Sequence, residues 1–155
     1  MSSKSSTASS GVLPGQGPKG CTNFKLRQLT RLVSQYCEQY FAESGLKTTQ
    51  YALLAHIDQL GPVQPSELAQ RMDVDVSTLS RNVQVLIAQG LVEMCAGDDA
   101  RSRRLVLTEE GRARRAAMKA NWKRAQTSLN AKLDDERVAR LHAVLDECLA
   151  LMHEE

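Results

Sequence analysis

The chain has few aromatic residues: two phenylalanines, one tryptophan and three tyrosines make up 4% of 155 positions. It also has no apolar run near the ~20 residues that a membrane helix needs, and its Ser-rich beginning lacks the apolar stretch of a secretory leader. These absences predict a soluble protein, cytoplasmic and without membrane contact. The four cysteines, Cys21, Cys37, Cys95 and Cys148, include no CxxC pair, so neither a zinc knuckle nor a disulfide framework is expected. Free thiols in a reducing compartment follow. His56, His142 and His153 share no metal-ligand spacing with one another or with the acidic residues. The chain also lacks a recognisable set of nucleophile, base and oxyanion donor, so the reading is of a non-enzyme with no cofactor.

What remains is ordinary in bulk and uneven in detail. Hydrophobic residues are 42% and charged residues 25%, enough to build one domain with a real core. Residues 1–19 are dominated by Ser, Gly and Pro and read as a disordered arm; the rest, 20–155, reads as a single unit. Leu26, Leu29, Val33, Tyr36 and Tyr40 recur at spacings of three and four, an amphipathic helix ended by Gly45. A second helix fits Thr48 to Leu60, with Tyr51, Leu54, Ala55 and Ile57 inward and Gly61-Pro62 as its stop. Pro65 opens a short third helix, with Leu68, Ala69 and Met72 facing the core. Asp75 caps a fourth, running to about Gln89, whose buried stripe is Leu79, Val83, Leu86 and Ile87. Leu91 to Cys95 and Arg104 to Leu107 form a hairpin around a polar loop, and Val63 makes a possible short strand. Thr108 caps a long helix to about Ala131, and Asp134, Asp135 and Glu136 open a last one with Val138, Leu141, Leu145, Cys148 and Met152 in a three-four repeat. Cys37 and Cys148 fall on apolar faces and read as packing residues.

The net charge is only +2, but six arginines fall between Arg101 and Arg115. The predicted architecture is mainly α with a small β-hairpin: a winged helix-turn-helix over about 48–108, plus helical dimerisation segments over about 21–45 and 109–153. If Leu79, Val83 and Leu86 face the core, a helix of 3.6 residues per turn presents Ser77, Thr78, Arg81, Gln84 and Val85 outward. Arg81 can donate two bonds to guanine, Gln84 can pair with adenine, and the hydroxyls of Ser77, Thr78 and Ser80 can hold phosphate. On an isolated helix the same side chains would simply face solvent. The hairpin that follows favours double-stranded DNA: Arg101 sits where a flexible cation enters a narrow minor groove, with Arg103 beside it. Asp99 is expected to brace Arg103 through a charge-assisted bond and so stiffen the loop. A protein-protein adaptor built on the same fold is the remaining reading.

The segments Gln64-Pro65-Ser66-Glu67-Leu68-Ala69, Asp75 to Val83, Leu86 to Val92 and Asp99 to Gly111 resemble the MarR family of regulators, and the resemblance extends from about Cys21 to the end. It implies a triangular homodimer whose first and last helices interlock, a pseudo-palindromic operator, and repression relieved by a small phenolic or other anionic ligand. Some members of that family respond to organic peroxides through a cysteine at the start of the first helix. Cys21, with Lys19 and Lys25 nearby, offers this as an alternative, although the matching position, counted back from Gln50-Tyr51, is about Asn23.

Overall fold

The computed structural model describes residues 20–99 and 101–154; the expected arm over 1–19 lies outside them. Six α-helices and one two-stranded sheet follow in the order α1 (Thr22–Glu38), α2 (Thr48–Leu60), α3 (Pro65–Arg71), α4 (Val76–Ala88), β1 (Val92–Ala96), β2 (Arg103–Leu107), α5 (Glu109–Leu133) and α6 (Asp135–His153), with a 3-10 turn at Ala42–Ser44. This is the mainly helical, small-hairpin architecture read from the sequence.

Helix boundaries follow their caps. The Asp75 carboxylate accepts from the Thr78 amide at 2.8 Å and opens α4, and the Thr108 hydroxyl accepts from the Gly111 amide at 3.0 Å and opens α5. The start of α2 is capped from another element: Glu38, the last residue of α1, accepts from both the amide and the hydroxyl of Thr48, at 3.0 and 2.6 Å. Asp134, at φ 65°, ends α5 and caps α6 by accepting from the Arg137 amide at 2.7 Å. One expected boundary is wrong. The first helix stops at Glu38, and Gly45, at φ 74°, closes the 3-10 turn that follows it. The apolar period continues to Tyr40 because Tyr40 and Phe41 pack from the turn, with Phe41 fully buried.

The core lies where α2, α3, α4, the hairpin and the first half of α5 meet. Leu54, Ile57, Leu68, Leu79, Val83, Leu86, Leu91, Leu105 and Met118 are all buried. Each such side chain contributes roughly 1.5–3 kcal/mol relative to exposure. Leu53 also belongs to this core although it was not expected there; Ala55, Met72 and Ile87 are only half-buried. The strands pair antiparallel with Val92 opposite Leu107 and Ala96 opposite Arg103. Val63 does form a bridge, to Leu105, through amide-carbonyl bonds of 3.1 and 2.8 Å in both directions. The end of α2 is thereby tied to the base of β2.

The two terminal helices differ from the rest. No residue of α1 is buried, and Val138 is the sole buried residue of α6. Leu26, Leu29 and Leu32 on α1 and Val144, Leu149, Leu151 and Met152 on α6 are exposed, Met152 to 81%. The Tyr36 and Tyr40 hydroxyls both meet the Ser128 hydroxyl at 2.5 Å and fix α1 against α5. At the far end of α6, His153 Nε2 lies 2.9 Å from Asp73 in the turn between α3 and α4. Cys148, expected to pack, is exposed.

Candidate nucleic-acid interface

Helix α4 presents two faces. Leu79, Val83 and Leu86 are buried at spacings of four and three, which leaves Ser77, Ser80, Arg81, Gln84 and Val85 exposed as the helical period requires. Thr78 is half-buried, and its hydroxyl donates to Asp75 Oδ2 at 2.7 Å. Its first duty is therefore to the cap. The bonds from Thr78 hold the Asp75 carboxyl below the ordinary aspartate range, so the cap stays ionised at neutral pH. Val74 and Val76, at the start of the helix, are exposed as well, and apolar groups there can meet a thymine methyl.

The hairpin loop is held by a different set of contacts from those expected. Asp99 does not brace Arg103. One of its carboxylate oxygens accepts from the amides of Arg101 and Ser102, at 2.9 and 2.6 Å, the local turn that short acidic side chains favour. These amide bonds hold its carboxyl below the usual range. The neighbouring Asp98 makes the ion pair instead, with Arg104. Gly97 closes the loop through its amide to the Ser102 carbonyl at 2.8 Å, and a Cβ there would meet the Ser102 hydroxyl at 2.1 Å. Arg101 and Arg103 remain exposed, with no ion pair among the described residues.

The other arginines separate by role. Arg112 and Arg114 are exposed on α5, whereas Arg115 pairs with Asp58 of α2 at 3.2 Å. Arg104 and Arg115 are thus committed within the fold, and positive charge on the hairpin side is carried by Arg101 and Arg103. Asp98 and Asp99, unfavourable beside phosphate, are both occupied by internal donors.

A second feature lies away from this surface. Between α1, α2 and α5 is a cavity of about 390 Å³, with Phe41, Tyr51 and Trp122 as aromatic walls and His56, Arg115 and Lys119 as its basic side chains. His56 Nδ1 is engaged by the Ala52 carbonyl at 2.7 Å. The buried Arg115 Nε has no hydrogen-bond partner. Cys37 borders the same cavity, and burial, with the Glu38 charge adding, pushes its thiol up; it is protonated at neutral pH. Cys21 is exposed at the cap of α1, where its Sγ accepts from the Phe24 amide at 3.4 Å, and Lys25 is exposed. Lys19 lies outside the described residues. No group of three or more His, Cys, Asp or Glu among the described residues could hold a metal ion.

Two short helices joined by a tight turn, followed by a two-stranded hairpin, define a winged helix-turn-helix. Residues 44–104 match the model of the MarR family. The M. tuberculosis transcriptional regulator MosR, solved in complex with DNA, is 34% identical with a TM-score of 0.72, over 86% of this chain and 98% of that one. Escherichia coli MarR, a C80S mutant with operator DNA, shares the fold at 22% identity and a TM-score of 0.74, over 82% and 92% of the two chains. An uncharacterized HTH-type transcriptional regulator of Bacillus subtilis, YwoH, is 24% identical over 112 residues, 72% of this chain and 82% of its own. The chain belongs to the MarR family of transcriptional regulators. No helix among the described residues is long and apolar enough to cross a membrane.

Proposed function

We propose that the chain is a homodimeric repressor that binds a pseudo-palindromic DNA operator and is released by a small phenolic or other anionic ligand. The observation that carries the DNA part is one continuous polar face: Ser77, Ser80, Arg81 and Gln84 exposed on α4, opposite its buried stripe, and followed by a hairpin loop with Arg101 free. In this reading α4 enters the major groove, Arg81 and Gln84 meet base edges, Ser77 and Ser80 hold phosphate, and Thr78 serves chiefly to keep the helix start ordered. Arg101 enters the minor groove and Arg103 approaches the backbone. The DNA-binding unit is 48–108, and the segments 21–45 and 109–153 make the dimer. The exposed leucines of α1 and α6 support the second part. The cavity supports the third: its volume and its mix of aromatic and cationic walls suit a planar aromatic anion.

The test is a footprint on DNA upstream of the protein's own gene, repeated with Arg101→Ala and Arg81→Ala. Arg101→Ala should weaken binding by roughly 1–3 kcal/mol while leaving thermal stability unchanged, and Arg81→Ala should also relax preference at one base pair. Full affinity in both variants would remove this face from the DNA interface.

A further inference from the structure

Asp58 stands between two cavities and two arginines. On one side it pairs with Arg115, whose side chain reaches the aromatic cavity and whose buried Nε lacks a partner. On the other it borders a smaller cavity of about 250 Å³ that is also lined by Gly61, Pro62, Val106, Leu107 and Arg112. Arg112 is exposed and makes no ion pair among the described residues. It lies one helical turn before Arg115, so the two guanidinium groups rise from the same side of α5. Both Asp58 and Arg115 are about 30% exposed, so their pairing is partly screened and can be exchanged for another pair without stranding a charge in the core.

Resting on the reading of the aromatic cavity as the effector site, we infer that Asp58 is an exchangeable internal carboxylate: the carboxylate of an aromatic acid takes its place on Arg115, and Asp58 passes to Arg112 at the base of the hairpin. A planar carboxylate fits Arg115 because a guanidinium offers parallel donors, one of which, Nε, is unused. Charge is conserved through the exchange. The destination is mechanically placed, since Asp58 lies on the last turn of α2, two residues before Leu60, and Val63 then bridges to Leu105 of β2. A change of partner at Asp58 therefore acts on the joint between α2 and the hairpin that carries Arg101. Asp58 is a positioning residue in this scheme and touches no DNA.

The single tryptophan, Trp122, lines the effector cavity, so its fluorescence reports occupancy independently of DNA. Full-length protein is titrated with benzoate and with its neutral isostere benzamide. Benzoate should bind better than benzamide, and Asp58→Asn should tighten benzoate by about five-fold while leaving benzamide unchanged, as expected for removal of a partly screened competitor. Arg112→Ala should weaken benzoate several-fold because Asp58 then has no second partner. Asp58→Glu, which keeps the charge, should behave as wild type and controls for folding. If wild type binds benzoate but Asp58→Asn binds it no more tightly, the exchange is overturned and the cavity reading stands. If neither probe perturbs Trp122, both fall.

Discussion

Gly111 shows what a single position can decide. It is buried in the first turn of α5, and a Cβ added there would lie 1.9 Å from the Leu91 carbonyl oxygen. That carbonyl accepts from the Thr108 amide at 3.1 Å, and the Thr108 hydroxyl donates to the Gly90 carbonyl at 2.7 Å. The end of α4 and the start of α5 are therefore clamped around one backbone, with no room for a methyl group. Gly111→Ala should destabilise the fold by about 1–3 kcal/mol or more, read as a lowered thermal midpoint, whereas Ala113→Gly on the exposed face of the same helix should cost about 1 kcal/mol. An unchanged midpoint for Gly111→Ala would show that the two segments can part freely. The sequence located Gly111 only as part of a family-like run; the close approach that requires it comes from packing. The same limit explains Asp99. The expected charge-assisted brace to Arg103 does not form, because the nearer Arg101 and Ser102 amides claim the carboxylate first, since forming a local turn costs little chain entropy.

At the scale of elements, the hairpin loop depends on that carboxylate. The folded Asp99 carboxyl lies below its ordinary value because of its bonds to Ser102 and Arg101. Its contribution is therefore fully present above the unfolded value near pH 4 and is lost as pH falls through the lower folded value. Acid should release the loop by protonating Asp99, seen by NMR as upfield movement of the Ser102 amide proton over the same pH range as the Asp99 carboxyl titration. Asp99→Asn keeps an acceptor oxygen and should retain the turn above and below that range; Asp99→Ala should lose it and weaken operator binding although Arg101 is intact. A Ser102 amide insensitive to both acid and Asp99→Ala would place the control of the loop elsewhere. Most elements were legible because caps and period are local: Asp75, Thr108 and the stripe Leu79, Val83 and Leu86 stand where expected. The end of α1 was not, because Tyr40 and Phe41 continue an apolar period after the backbone has left the helix, and a pattern of side chains does not report hydrogen bonds. The Asp58–Arg115 pair was equally hidden, since 57 residues separate partners that only the packing of α2 on α5 brings together.

The whole molecule is divided between a core that is closed and helices that are not. Val138 is all that α6 buries, yet its Val144, Leu149 and Leu151 are 51–62% exposed, apolar area of the kind that marks an interface. In the proposed dimer a partner helix would cover that surface and give each operator half-site its own α4, so affinity for the full site would depend on association. Leu149 and Leu151, two residues apart, project from different sides of α6, so lysine at both puts charge on its exposed apolar positions to either side without touching the core that folds the chain. The variant should keep its helical circular dichroism, sediment as a monomer and lose most affinity for the full operator while retaining weak binding to an isolated half-site. The wild-type thermal midpoint should also rise with protein concentration, because association stabilises the folded state by mass action, and that dependence should vanish in the variant. A double-lysine variant that still sediments as a dimer would move the interface off α6. It would leave the exposed leucines of α1, Leu26, Leu29 and Leu32, as the surface to test next, since α1 is the other terminal helix with apolar side chains left uncovered.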